Sequence, residues 1–286
     1  MSWLDQWRRS TRRAPLHTEI RGDGDETLVF IAGLGGTTRY WASRLSPIED
    51  RYRVVLIDLL GFGQSPKPWA QYSVERHVDA LHTALKDLGP ITLIGHSLGA
   101  LVTVAYAARF PAQVHNIIVM GMPNFGSQSR AYRYFRSGRV KYGYLYTNVF
   151  LTMVACIVSR RVVGWLLPYL IKSVPREVAE DLVKHTWRSS TSSLWEVVYR
   201  YDVAQDLRNL PTRIGVLFIH GELDVMAPLA HIEELAAEGS RWRLRVLHGV
   251  DHHPFLRDTD GCLATIEATV RNAENPPRLV AVSNDK

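Results

Sequence analysis

The sequence predicts an α/β fold: a mostly parallel central sheet flanked by helices, with a helical lid inserted in it. Three observations predict it. Short apolar runs rich in β-branched residues recur along the chain, segments of helical period separate the first four, and a long stretch without any such run divides the fourth from the fifth.

The first run, residues 28–31 (LVFI), is followed closely by Gly33. The second, 54–57 (VVLI), ends at Asp58, and the third, 91–94 (ITLI), ends at Gly95. The fourth is 117–120 (IIVM). Runs this short and apolar throughout suit strands buried on both faces, as in a parallel sheet. Between them, residues 73–88 place Val74, Val78, Leu81, Leu85 and Leu88 at helical spacing, and 98–110 is a second helical segment. Strand and helix alternating in this way imply right-handed crossovers.

After Pro123 the pattern changes. Tyr, Trp, Arg and Val dominate residues 124–210 at helical spacing, and strand-like runs return only at 216–219 (VLFI) and 244–247 (LRVL). The expected organisation is a core of residues 1–123 and 211–274, a helical lid at 124–210, and a poorly ordered tail at 275–286. Residues 148–172 are very apolar, but Arg160 and Arg161 interrupt them and Pro168 follows. Neither half reaches the roughly 20 residues of a membrane span, so two lid helices meeting near Arg160 are expected, with an apolar lid surface touching lipid as the alternative.

The chain has 286 residues, 46% hydrophobic and 22% charged, which is enough to bury a core without staples. Cys156 and Cys262 are its only cysteines; they predict neither a disulfide framework nor a metal cluster, and fit a cytoplasmic setting. The formal charge of +6 is spread thinly, densest at Arg8, Arg9, Arg12 and Arg13 and again from Arg130 to Lys141, with no nucleic-acid-binding motif beside it. Arg130, Arg133, Arg136 and Arg139, spaced by three, are expected along one solvated helix face; docking of an anionic substrate or surface is the sharper alternative. The N-terminus lacks the apolar stretch of a signal peptide. Trp3, Leu4 and Trp7 sit at helical spacing there, read as a short helix packed on the body, with a membrane-surface foot as the alternative.

The chemistry starts at Gly95-His96-Ser97-Leu98-Gly99, a G-x-S-x-G turn with a strand before it and a helix after it. Such a turn is sharp enough to strain the serine backbone. Side chains at positions 95 and 99 would collide with neighbouring elements. The helix that follows offers unpaired N–H groups and a positive dipole end to a developing oxyanion.

With this elbow the sequence resembles the α/β-hydrolase superfamily over nearly its whole length, and four more segments match in order. Ala32-Gly33-Leu34-Gly35-Gly36 lies where the family carries its oxyanion loop, with Ala32 in place of the usual His. Asp58-Leu59-Leu60-Gly61-Phe62-Gly63-Gln64-Ser65 resembles the D-x-x-G-x-G-x-S loop. His220-Gly221-Glu222-Leu223-Asp224 resembles the acid-bearing loop, and Gly249-Val250-Asp251-His252-His253-Pro254 the histidine loop, with Asp251 in place of the family's common Gly. The resemblance implies Ser97 as nucleophile, His252 as general base and Asp224 as the acid that orients it, with Leu34 and Leu98 supplying oxyanion N–H groups. It implies no cofactor, and the sequence indicates no metal site, no dinucleotide fingerprint and no nucleic acid, leaving a small-molecule substrate as the partner.

Alternatives stand beside these assignments. His253 is a second candidate base. His96 and His220 read as packing histidines. Asp251 either tunes His252 or faces solvent, and Asp202 and Asp206 are weaker candidates for the acid. The resemblance implies hydrolysis of a carboxylic ester through an acyl-enzyme. Carbon–carbon hydrolysis or acyl transfer on the same triad, and a non-hydrolytic receptor or cyclase on the same fold, are the competing readings. The lid aromatics Tyr132, Tyr134, Phe135, Tyr142, Tyr144, Tyr146, Trp165, Trp187 and Trp195 read mostly as lid core, with some lining a pocket for an apolar or aromatic acyl group.

Overall fold

The structure, a computed structural model, describes residues 15–271. The expected N-terminal helix and the expected tail lie outside the described residues. Seven strands form one sheet: β1 (Thr18–Arg21), β2 (Thr27–Ile31), β3 (Arg53–Ile57), β4 (Ile91–His96), β5 (Val114–Met120), β6 (Gly215–Gly221) and β7 (Trp242–Leu247), in the order β1-β3-β2-β4-β5-β6-β7. Every pairing is parallel except that of β1 with β3. All six apolar runs lie within these strands. The edge strand β1 was not among the expected ones, because its sequence, TEIR, is polar and pairs on one side only. Its Arg21 instead bridges Glu19 and Glu49.

The core follows the two-residue period of the strands. Val29, Ile31, Val55, Ile57 and Leu93 enter one hydrophobic cluster, while Leu28, Phe30, Val54, Leu56 and Ile94 enter another on the opposite face. Helices cover both faces. In chain order they begin with α1 (Arg39–Ala42), α2 (Val74–Leu85) and α3 (Leu98–Arg109). Ser73 caps α2 by accepting from the Arg76 N–H. Helix α3 lies buried along almost its whole length, so its sequence is apolar all round rather than striped.

The stretch between β5 and β6 contains helices and no strand. It holds α4 (Gln128–Arg136), α5 (Val149–Arg161), α6 (Leu167–Leu170), α7 (Arg176–Asp181) and α8 (Trp187–Ser193), which runs into a π-helical turn at Leu194–Tyr199, and then α9 (Val203–Arg208). The insertion has its own core of Phe125, Ala131, Phe135, Val140, Leu194, Trp195 and Tyr199. Its buried polar tips are satisfied: the Trp195 indole donates to the Tyr132 hydroxyl at 2.6 Å, and the Tyr199 hydroxyl to the Tyr146 carbonyl at 2.6 Å. Val203, Ala204 and Leu207 of α9 join the main cluster on the sheet.

The apolar stretch at 148–172 divides into two helices as expected: α5 closes at Arg160 and Arg161, where cations suit the negative end of the helix dipole, and α6 begins at Leu167. The arginine face is shorter than expected, because α4 stops at Arg136 and Arg139 lies beyond it. After β6 come α10 (Leu229–Ala236), α11 (Pro254–Arg257) and α12 (Thr259–Arg271). Among the described residues no helix is long and apolar enough to cross a membrane.

Candidate active site

Three loops leave the carboxyl ends of β4, β6 and β7 and meet at one rim of the sheet, where open α/β sheets bind ligands. Ser97 sits at the turn between β4 and α3 with φ 54° and ψ −117°, a left-handed conformation that costs a non-glycine residue about 1–3 kcal/mol. The turn fits only because its flanks are small. A Cβ at Gly99 would lie 2.4 Å from the Ile31 carbonyl, and one at Gly95 would lie 2.5 Å from the Thr103 hydroxyl.

The Ser97 Oγ is 3.0 Å from the His252 Nε2, and the His252 Nδ1 is 2.7 Å from the Asp224 Oδ2. A carboxylate oxygen only accepts, so Nδ1 carries the proton and Nε2 is left as the acceptor facing the serine. Asp224 is itself fixed, because its Oδ1 accepts the main-chain N–H groups of Met226 and Ala227, each at 2.8 Å. Serine, imidazole and carboxyl, distant in sequence, thus form one hydrogen-bonded chain.

The neighbouring titratable groups take other places. His253 turns away from Ser97 toward the Tyr40 hydroxyl, 3.4 Å from its Nδ1, and burial, aided by the nearby His252, pushes its pKa down to about 4. Asp251 neither faces His252 nor stands free in solvent. It accepts the His253 N–H at 3.0 Å and pairs with Arg257 at 2.5 Å. Asp202 caps α9, and Asp206 accepts from the Tyr201 hydroxyl at 2.6 Å. His220 is a buried strand-end residue that donates to the Ala227 carbonyl at 2.6 Å, and burial lowers its pKa.

The loop after β2 is held by two carboxylates. Asp58 accepts the N–H groups of Thr38 and Gln64, each at 2.7 Å, tying the loop after β3 to the one after β2. Asp181, a buried carboxylate at the end of α7, accepts from the Thr37 hydroxyl at 2.5 Å, Arg39 at 2.7 Å and Lys184 at 2.6 Å. Leu98 is the first residue of α3, so no earlier turn of helix can satisfy its N–H. Leu34 lines the cavity above Ser97.

That cavity has a volume of about 250 Å³, and its walls are mainly apolar. The insertion contributes Phe135, Tyr146, Val178, Leu182, Leu194 and Val198, while Ser97 and His252 lie at its polar end. Of the nine aromatic residues singled out in the sequence, Phe135 and Tyr146 reach the cavity. Tyr142, Tyr144 and Trp165 face outward instead. Two contributors carried no local signal in the sequence. One is Tyr40, stacked on His96 with ring centroids 4.8 Å apart; the other is Asp181, whose partners on the loop after β2 lie more than 140 residues away.

The comparisons with known proteins agree with this architecture. An uncharacterized protein of Mycobacterium tuberculosis is 27% identical over 274 residues, covering 89% of this chain and 78% of the relative. The probable lysophospholipase BODYGUARD 4 of Arabidopsis thaliana is 26% identical over 255 residues, covering 81% of this chain and 60% of the relative. An esterase of known structure from Exiguobacterium antarcticum superposes with a TM-score of 0.73 at 18% identity, covering 90% of this chain and 95% of that one, a likeness of fold. Residues 26–259 match the family model of the alpha/beta hydrolase fold, and the chain belongs to that family.

Proposed function

We propose that the protein is a serine hydrolase that cleaves the carboxylic ester of a small to medium apolar or aromatic substrate through an acyl-enzyme on Ser97. The observation that carries this reading is the hydrogen-bonded chain from Asp224 through His252 to Ser97, with spacings of 2.7 and 3.0 Å. The descriptions of the Arabidopsis relative as a probable lysophospholipase and of the Exiguobacterium protein as an esterase support hydrolysis of an ester.

The mechanism uses groups already positioned. His252 Nε2 takes the Ser97 proton as Oγ attacks the carbonyl carbon, and Asp224 stabilises the imidazolium that forms. The N–H groups of Leu34 and Leu98 hold the oxyanion of the tetrahedral intermediate. The imidazolium then protonates the departing alcohol, leaving the acyl group on Ser97. A water molecule gives a proton to His252 as it attacks the acyl carbon, and His252 returns that proton to Ser97 Oγ as the acid leaves. The apolar walls around Phe135, Leu182 and Leu194 suit an apolar acyl group.

The test is a panel of p-nitrophenyl esters of increasing chain length, run beside labelling with a fluorophosphonate probe. Wild-type protein should turn over at least one ester and be labelled at Ser97. Ser97→Ala should lose turnover by about 10⁴-fold or more while unfolding at a similar temperature. Undiminished turnover by Ser97→Ala refutes the reading. Activity on a vinylogous diketone or an acyl-donor pair, with none on any ester, points instead to carbon–carbon hydrolysis or acyl transfer.

A further inference from the structure

A surface helix normally turns polar residues to water and apolar ones to the core. Helix α5 does the reverse over much of its outer face. Phe150, Val154, Ile157 and Val158, at positions i, i+4, i+7 and i+8, form one exposed stripe, with Phe150 65% exposed. Its inner face is taken up by the insertion, where Thr152 is buried and Cys156 lies against Ser190 of α8. The exposed run continues past the helix through Val162, Trp165 (72% exposed), Tyr169 and Leu170 (66% exposed). Isolated surface apolar residues need no explanation, but a contiguous band of this kind marks a contact surface.

The charge around the band has a single sign. Between Leu88 and Arg176 the chain carries no Asp or Glu and nine Arg and Lys. Arg160, Arg161 and Lys172 are exposed beside the band, and among the described residues none of them pairs with a carboxylate. Aromatic and aliphatic side chains flanked by unpaired cations are the composition of a surface that settles at the headgroup level of a bilayer. The band also ends at the cavity, since Ile171, Ser173 and Val174, which follow Leu170 directly, line its wall.

We infer that the outer face of α5 and the segment through Leu170 dock the protein on a bilayer containing anionic lipid, with the rim of the cavity at Ile171–Val174 turned toward the acyl chains. Phe150, Trp165 and Leu170 enter the interface, while Arg160, Arg161 and Lys172 meet the anionic headgroups. Docking of this kind does not depend on the ester-hydrolase reading, and its test reads binding separately from turnover.

The experiment is flotation of the full chain with phosphatidylcholine vesicles, with and without phosphatidylglycerol. Wild-type protein should float with the anionic vesicles and only weakly with the neutral ones. Arg160→Glu with Arg161→Glu should bind the anionic vesicles about thirtyfold more weakly, at about fivefold for each cation removed. Phe150→Ser, Trp165→Ser and Leu170→Ser combined should not float with either. Turnover of a soluble ester, or the unfolding temperature if no ester is turned over, shows that each variant is folded; should the triple variant fail to fold, the charge-reversed variant decides. The inference is overturned by no flotation of the wild type, by flotation that ignores the anionic lipid, or by binding lost on deletion of residues 1–14 but kept in both surface variants. A stable dimer in sedimentation equilibrium that the triple substitution converts to monomer also overturns it, by assigning the band to a second copy of the chain.

Discussion

The His96 ring lies behind the serine that follows it and donates its Nε2 proton to the main-chain oxygen of His252 at 2.7 Å. Its other face stacks on Tyr40, and burial holds its pKa well below the ordinary imidazole range, so the ring is neutral. One residue of the elbow therefore anchors the loop that carries the imidazole. His96→Ala should lower kcat on a soluble ester by about tenfold to a hundredfold, the range expected when a reacting group is displaced by an ångström, with a smaller change in KM. Steady-state kinetics on the purified variant check this; unchanged kcat would show that the loop holds its position without the bond.

Asp224→Asn tests the orienting carboxyl separately from the serine. The two main-chain N–H groups at Oδ1 can still be accepted, but the amide can present its N–H to His252 and so favour the wrong tautomer. kcat should fall by about 10⁴-fold with the fold retained. Circular dichroism and kinetics on the same sample measure both.

Gly33 lies against the nucleophile. A Cβ there would be 2.9 Å from the Ser97 Cβ and 3.1 Å from the His96 Nδ1. Gly33→Ala should therefore displace the serine or the loop and cost about a hundredfold in kcat, with fluorophosphonate labelling slowed in parallel. Labelling at the wild-type rate would mean that the loop yields without disturbing Ser97.

Asp181 joins the insertion to the loop after β2 through Thr37 and Arg39. Removing it leaves a buried hydroxyl without its acceptor and Lys184 without its carboxylate, while Arg39 keeps its pair with Glu180. Asp181→Ala should destabilise the protein by about 1–3 kcal/mol in urea unfolding and lower kcat/KM. Asp181→Asn, which keeps an acceptor, should recover part of both.

Two buried histidines should contribute to the loss of stability in acid. Burial lowers the pKa of His77 and of His185 to about 4. In the unfolded chain their pKa is near 6.5, so between the two values the unfolded state binds more protons and stability falls as the pH falls. From pH 7 to pH 5 each imidazole should remove about 2 kcal/mol of unfolding free energy. His77→Gln should reduce the acid loss by about that amount, as read by urea unfolding at both pH values. A variant whose stability falls with pH as steeply as wild type would exclude His77 as a source.

The sequence by itself determined the sheet and the elements of the site that are local in the chain. A strand buried on both faces must be apolar throughout, so β2 to β6 were visible as short apolar runs, and the edge strand β7 by the LRVL run. The elbow was visible because no bulky residue fits at Gly95 or Gly99, and the acid and histidine loops because they follow strands that end at the same rim. Tertiary structure alone decided what depends on distances between remote segments: that the His252 imidazole, already implied by the resemblance, lies 3.0 Å from Ser97, that Asp251 is taken by Arg257, and that Phe135 and Tyr146 line the cavity while Trp165 faces outward. It also supplied β1, whose four residues, all polar but Ile20, carry no strand signal until β3 offers an edge to pair with. The physical reason is the same in each case. Strand periodicity and turn sterics act over a few residues, whereas the direction a side chain faces is fixed by partners that folding brings together from across the chain.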